Sequence, residues 1–242
     1  MNRLEGRCVE LEPMGYGECH ALQNSLLEKV ASGSEPSTLL FVEHPPVFSL
    51  GAAFQPDNLL FPSAYYEEKG IEVVPTDRGG DITFHGPGQI VAYPLFDLKL
   101  IGQDLHKWLR GLEEVVIRLM MNFDLEGYRF PPHTGVWVNG KKVCAIGIKV
   151  RRWVSKHGIA LNCDNDLSPF DLIVPCGIKG FGVTSLSQEA GRKISMEEVK
   201  PHLVKSFEEV FEIDLAEMSR ETLEKRLEFE PWKGEQLGAG KD

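Results

Sequence analysis

No stretch of this 242-residue chain approaches the roughly 20 consecutive apolar residues that span a bilayer, so no transmembrane helix is expected. The first residues, Met1-Asn2-Arg3-Leu4-Glu5-Gly6-Arg7, mix both charge signs and lead into no apolar segment. Neither a secretory signal nor a transit peptide is therefore expected, and the expected location is cytoplasmic. Cysteine is sparse. Cys8, Cys19, Cys144, Cys163 and Cys176 are widely spaced, with no C-x-x-C pair and no Cys/His grouping at zinc spacing, which argues against a disulfide framework and a structural metal. Cations are outnumbered, 26 against 36 acidic residues, for a formal net charge of −10. That balance disfavours nonspecific nucleic-acid binding, whose affinity comes from lysine and arginine neutralising phosphates. A P-loop, an internal repeat and an interdomain linker are all missing.

What remains is an ordinary globular composition, 42% hydrophobic and 26% charged, long enough to bury one full core. One catalytic domain is expected over residues 1–230, with a Gly/Lys/Glu-rich tail over 231–242 expected to be disordered. Periodicity predicts strands at Arg7–Glu12, Thr38–Glu43, Ile71–Pro75 and Ile90–Phe96, and helices at Gly17–Val30 and Pro62–Lys69. Asp104 opens the clearest helix, with Leu105, Trp108, Leu109, Leu112, Val115, Val116 and Leu119 at helical spacing. Asn139-Gly140 predicts a two-residue hairpin between Thr134–Val138 and a returning strand Lys142–Val154. Strict alternation along that strand puts Lys142 on one face with Cys144, Ile146, Ile148 and Val150. A further strand is expected over His157–Cys163, and a short one ending at Val174. Ser195-Met196-Glu197-Glu198 reads as a capping box for a helix to about Glu212, with Pro201 expected to displace or kink its start. A last helix is expected from Ser219 to about Leu227.

The chemistry centres on Val174-Pro175-Cys176-Gly177. A thiol between proline and glycine sits where the chain is fixed on one side, and on the other a carbonyl can approach backbone N–H groups. A free thiol is only slightly ionised at neutral pH, so a catalytic cysteine needs a neighbouring base or cation. Lys142 is one candidate partner, because a half-buried amine exchanges protons readily and stabilises a thiolate when charged; a lysine snorkelling to solvent is the bland alternative. His85 or His157 would instead make a Cys/His pair. The glycine-rich segment from Arg78 to Gln89 brings backbone close to a ligand. Six cations between Lys141 and Lys156, with no acidic residue among them, suit either an acidic partner or a solvated strand face.

In order along the chain, Val42-Glu43-His44-Pro45-Pro46-Val47-Phe48, Arg78-Gly79-Gly80 through His85-Gly86-Pro87-Gly88-Gln89, Thr134-Gly135-Val136-Trp137-Val138 and Lys142 through Gly147 form one set of blocks. Arg151-Arg152-Trp153, His157-Gly158-Ile159-Ala160-Leu161-Asn162, Asp166-Leu167-Ser168-Pro169-Phe170 and Pro175-Cys176-Gly177 continue it, to about Thr184-Ser185-Leu186. Together they resemble the lipoyl (octanoyl) transferase family. The Arg-Gly-Gly loop also recurs in biotin and lipoate ligases; Cys176 together with Lys142 separates the transferases from them. Val174 stands where asparagine is common in the family, and Cys163 where valine is common.

The resemblance implies an α/β (α+β) fold of the biotin/lipoate protein ligase type, a mixed sheet flanked by helices. It implies an acyltransferase of lipoate biosynthesis. Beside the resemblance, no cofactor, metal, nucleic acid or membrane partner is expected, and a monomer is expected. The donor would be octanoyl acyl carrier protein. The acceptors would be lipoyl domains of 2-oxo acid dehydrogenases and the glycine-cleavage carrier protein. Cys176 would carry the acyl group as a thioester, and Lys142 would lower the cysteine pKa and shuttle protons. The substrate site would be Arg78, Gly79, Gly80, Asp81, Ile82, Thr83, Phe84 and His85, with Ala145, Ile146, Gly147, Gly158, Ile159 and Ala160. Three rivals stand beside this reading: an ATP-dependent lipoate or biotin ligase on the same fold, a noncatalytic carrier-binding module, and a cysteine hydrolase.

Overall fold

A computed structural model describes residues 3–177 and 180–230, including the backbone of Cys176 but not its side chain. The tail expected to be disordered lies outside the described residues. The chain begins with β1 (Leu4–Glu10), α1 (Tyr16–Ser32), β2 (Ser37–Val42), β3 (Val47–Leu50) and α2 (Ser63–Glu68). Next come β4 (Glu72–Pro75), β5 (Ile82–His85), β6 (Gln89–Leu95), α3 (Leu105–Met121), β7 (Tyr128–Phe130) and β8 (His133–Val138). It closes with β9 (Lys141–Arg151), β10 (Val154–Asn162), α4 (Leu186–Ala190), α5 (Met196–Phe211), β11 (Ile213–Met218) and α6 (Arg220–Leu227).

Eight strands form one mixed sheet in the order β11-β1-β2-β6-β10-β9-β8-β7, and β4-β3-β5 form a smaller one. β1 runs parallel to both β11 and β2; from β2 to β7 every neighbour is antiparallel. One face of the large sheet packs on α3 and α5, burying Trp108, Leu112, Val116, Leu119, Phe207 and Phe211 with Leu39, Ala92 and Ile159. Each buried Leu, Ile, Val or Phe among them contributes about 1.5–3 kcal/mol of transfer free energy, which drives this docking. The other face meets α1 and α6 through Leu22, Leu26, Val30, Leu223 and Leu227. No helix among the described residues is long and apolar enough to cross a membrane.

Local signals explain most element starts. Asp104 caps α3, its side chain accepting from the N–H groups of His106 and Lys107. Ser195 caps α5, accepting from the Glu198 N–H, and Pro201 sits inside the helix without displacing its start. Asn139 and Gly140 both take positive φ (48° and 76°), the mirror-image turn that a two-residue hairpin needs.

The structure departs from the sequence pattern at three places. The strand expected to run to Val154 ends at Arg151, and a second tight turn at Arg152 and Trp153 (φ 52° and 63°) sends the chain back as β10. This turn lacks the usual Gly or Asn because tertiary contacts hold it: Leu98 N–H donates to the Trp153 carbonyl at 2.7 Å, and Arg152 binds Glu28 at 3.0 Å. The short strand expected up to Val174 is a 3-10 turn over Ser168–Leu172 followed by a single bridge from Ile173 to Leu59. Lys142 also lies on the face opposite to the one its alternation with Cys144 predicts. The β8–β9 register shifts between Val136 and Trp137, pairing Val136 with Cys144 but Trp137 with Lys142, so Val143 is an extra residue. A bulge of this kind reverses the alternation. Lys142 consequently leaves the face of Cys144 and joins the face of Ala145.

Candidate active site

Between the α1 face of the large sheet and the small sheet lies a cavity of about 220 Å³. Alternation along β5 decides which of its side chains reach it. Thr83 and His85 line the cavity, whereas Ile82 and Phe84 point the other way into a small core with Phe48, Tyr66 and Phe170. Ile82 and Phe84 therefore support the wall rather than line it. Arg78, Gly79, Gly80, Asp81, Ala145, Ile146, Gly147, Gly158, Ile159 and Ala160 all border the cavity. Gly147 pairs with Gly158 across β9 and β10, and a Cβ at Gly147 would lie 2.9 Å from the Gly79 carbonyl. Only a glycine lets the Arg78–Gly80 loop lie against the sheet there.

Arg78 is buried and pins that loop. Its Nε and Nη2 donate to the Ser49 hydroxyl at 3.1 and 2.9 Å, and its Nη1 donates to the Gly79 carbonyl at 3.1 Å. The Ser49 hydroxyl lies 3.0 Å from His85 Nε2, and His85 Nδ1 lies 2.8 Å from Gln89 Oε1. Burial, followed by the charges of His44 and Arg78, pushes the His85 imidazole well below its ordinary range. His44, bonded to the Met14 carbonyl and the Tyr93 hydroxyl, is pushed down by burial to about 4. Both rings are neutral hydrogen-bonding parts of the wall at neutral pH.

Lys142 is 7% exposed at one end of this cavity. Its Nζ donates to the Thr134 carbonyl at 3.1 Å and lies 5.1 Å from the centre of the Trp137 ring. On its other side β9 pairs with Val183, the Lys142 N–H donating to Gly182 and the Thr184 N–H to Lys142. The Pro175–Gly177 turn closes over this end, with Pro175, Thr83 and Lys142 sharing a gap of about 10 Å³. A Cβ on Gly177 would lie 2.9 Å from Asp81 Oδ2. The Gly177 N–H donates to the Val174 carbonyl at 3.1 Å and is thus taken up within the turn. The side chain of Cys176 itself lies outside the described residues. Of the other cysteines, Cys8, Cys19 and Cys163 are buried with thiols pushed up to about 12, and burial raises Cys144 as well. None of those four is a nucleophile near neutral pH.

At the far end His157 takes positive φ (57°) and sets its Nε2 2.8 Å from Asp77 Oδ1, with His20 Nε2 at 3.2 Å from the same oxygen. Burial raises the Asp77 carboxyl, but hydrogen bonds from His157, His20 and Lys156 outweigh it and hold the group well below the carboxylate range. Burial brings His157 down to about 4. His20, Asp77 and His157 gather three ligand-type atoms, yet the Lys156 ammonium is 3.0 Å from Asp77 Oδ2 and already supplies the cation. The cationic run is likewise dispersed. Arg151 and Arg152 both pair with Glu28, while Lys142 and Lys156 are buried, so the six cations do not form one docking patch. Tyr16, Tyr93, Pro132 and His133 also border the cavity and carried no sequence signal, since each is an ordinary residue until the fold brings it there; Thr134 borders it too, and stood out only as the first residue of a family block.

Residues 15–208 match the lipoyl protein ligase A/B catalytic domain family. The chain belongs to this family. The chain is 52% identical over 197 residues to an octanoyltransferase of Rubrobacter xylanophilus, covering 81% of this chain and 88% of that protein. It is 48% identical over 199 residues to an octanoyltransferase of Syntrophotalea carbinolica, covering 82% and 91%. Among solved structures, a lipoate-protein ligase A bound with ATP superposes with a TM-score of 0.78 at 19% identity, covering 93% of each chain. A bi-partite lipoate protein ligase from Thermoplasma acidophilum gives 0.75 at 18% identity, covering 93% and 91%. These structures share the mixed sheet flanked by helices.

Proposed function

We infer that this member of the lipoyl protein ligase A/B family is an octanoyltransferase, an acyltransferase that moves an octanoyl group onto a lysine of a lipoyl domain. The donor in this reading is octanoyl acyl carrier protein. The observation that supports it is a cavity lined along β9 by Lys142, Ala145, Ile146 and Gly147, with the Pro175–Gly177 turn beside Lys142. From Lys142 to Gly147 is five strand steps, one of them taken up by the bulged Val143, so at about 3.3 Å per step the lining spans roughly 13 Å, the scale of an extended medium-length acyl chain.

Cys176, as thiolate, attacks the carbonyl carbon of the donor thioester; the tetrahedral intermediate collapses, the acyl–Cys176 thioester forms and the carrier thiolate leaves. Lys142 gives that thiolate a proton. The acceptor lysine amine then attacks the acyl–enzyme carbonyl and loses a proton to Lys142. An amide forms, and the Cys176 thiolate departs. Arg78, pinned through Ser49, holds the loop that covers the acyl chain, while Ala145, Ile146, Gly147, Gly158, Ile159 and Ala160 supply its floor. A thioester donor is already activated, so the transfer needs no adenylate.

Intact mass spectrometry after incubation with octanoyl acyl carrier protein tests this reading. An octanoyl adduct that vanishes in Cys176→Ser is expected. Transfer from free octanoate with ATP, surviving in Cys176→Ala, would sink it in favour of a ligase.

A further inference from the structure

Glu113 is a charged residue among the buried side chains of α3, only 1% exposed. A carboxylate taken out of water costs several kcal/mol unless it is paired and hydrogen-bonded. Oε2 accepts from Arg110 Nη1 at 2.6 Å and from Arg129 Nε at 3.1 Å. Oε1 accepts the N–H of Gly135 at 3.2 Å. That N–H belongs to the same peptide group as the Thr134 carbonyl, the acceptor for Lys142 Nζ at 3.1 Å.

One planar amide thus spans the gap between a buried carboxylate and the Lys142 amine. Its N–H and C=O point in opposite directions and cannot rotate independently, so releasing one partner releases the other. A carboxylate on the N–H also polarises the carbonyl and strengthens the bond it accepts. Gly135 makes the close approach possible. With φ at +125°, a Cβ there would lie 2.6 Å from the Cys144 carbonyl and 3.4 Å from Lys142 Cε, at the register shift that turns Lys142 to the cavity.

We propose that Glu113 is a positioning residue for octanoyl transfer, fixing the Lys142 head through the Thr134–Gly135 peptide. This rests on the assignment of Lys142 as the group that activates Cys176. Glutamate is specific to the role. A glutamine has one acceptor oxygen, which serves either Gly135 or the arginines, and its NH2 then faces a donor on the other side.

The test compares Glu113→Gln, Glu113→Asp and Lys142→Ala, each first shown to melt cooperatively. In Glu113→Gln, kcat and the alkylation rate of Cys176 at fixed pH both fall about tenfold with KM for the acyl donor unchanged. Glu113→Asp, one methylene short of Gly135, moves the same way. A folded Glu113→Gln that alkylates at the wild-type rate, while Lys142→Ala slows it, overturns the proposal alone. If Lys142→Ala also leaves alkylation unchanged, the activating role of Lys142 fails and this proposal with it. Should neither Glu113 variant fold, the Gly135 amide proton in isotope-labelled Lys142→Ala decides. An upfield shift is expected when the amide loses its far partner, and an unmoved resonance overturns the proposal.

Discussion

Lys142 and Cys144, two residues apart on β9, lie on opposite faces of the sheet. Cys144 is in the core beneath α3, and Lys142 is in the cavity beside the Pro175–Gly177 turn. The extra residue Val143 separates them, and it decides whether a lysine is core-facing or able to meet a nucleophile.

Replacing Lys142 with alanine removes the cation proposed to stabilise the Cys176 thiolate. Octanoyl transfer is expected to fall by at least about a hundredfold, and iodoacetamide labelling of Cys176 at neutral pH to slow by roughly tenfold. Peptide-resolved alkylation kinetics measure both the site and the rate; unchanged labelling with retained transfer would remove Lys142 from the chemistry.

Gly135→Ala sets a methyl group against the Cys144 carbonyl in a backbone conformation that L residues resist. A loss of about 2 kcal/mol or more is expected, with a matching drop in transfer because the strand pairing at Lys142 must open. Thermal melts and kcat on the same preparation check it. A neutral effect on both would mean that β8 relaxes freely here.

Arg78→Lys retains the charge but not the fork that joins the Ser49 hydroxyl to the Gly79 carbonyl. Losing these bonds should cost about 1–3 kcal/mol and loosen the loop over the cavity. KM for the acyl donor is expected to rise several-fold more than kcat falls, read from steady-state kinetics; equal KM with wild-type stability would contradict the pinning role.

His44 and His157 are each pushed by burial from about 6.5 to about 4. Between those values the unfolded chain binds more protons than the folded one, so the two histidines contribute full stability above pH 6.5 and lose it as pH falls toward 4. Each contributes up to about 3 kcal/mol across that window. The depressed Asp77 carboxyl acts in the same direction, its contribution lost at lower pH still. Melting temperature should therefore decline steadily from pH 7 to pH 4.5, and His157→Gln should flatten part of that decline. A melting temperature independent of pH over this range would show that the imidazoles are hydrated.

Much of this was legible from local chemistry. The cap at Asp104, the capping box at Ser195, the apolar repeat of α3 and the Asn139-Gly140 turn act within one or two turns of chain, and each element starts close to its signal. The Arg152-Trp153 turn was not legible, because Leu98 and Glu28, far away in sequence, hold it. The same holds for the cationic run, which reads as a patch until α1 delivers Glu28 and the loop after β4 delivers Asp77.

By itself, then, the sequence specified most of the helices and the Asn139-Gly140 turn and offered Cys176, Lys142, His85 and His157 as candidate reactive groups, since those depend on side-chain type and short spacing. The tertiary structure decided which face Lys142 occupies, that His85 and His157 are neutral wall residues, and that Glu113 reaches Lys142 through a peptide group. Those outcomes follow from strand register, burial and hydrogen bonds between segments far apart in the chain, where a shift of one residue at Val143 reverses the result.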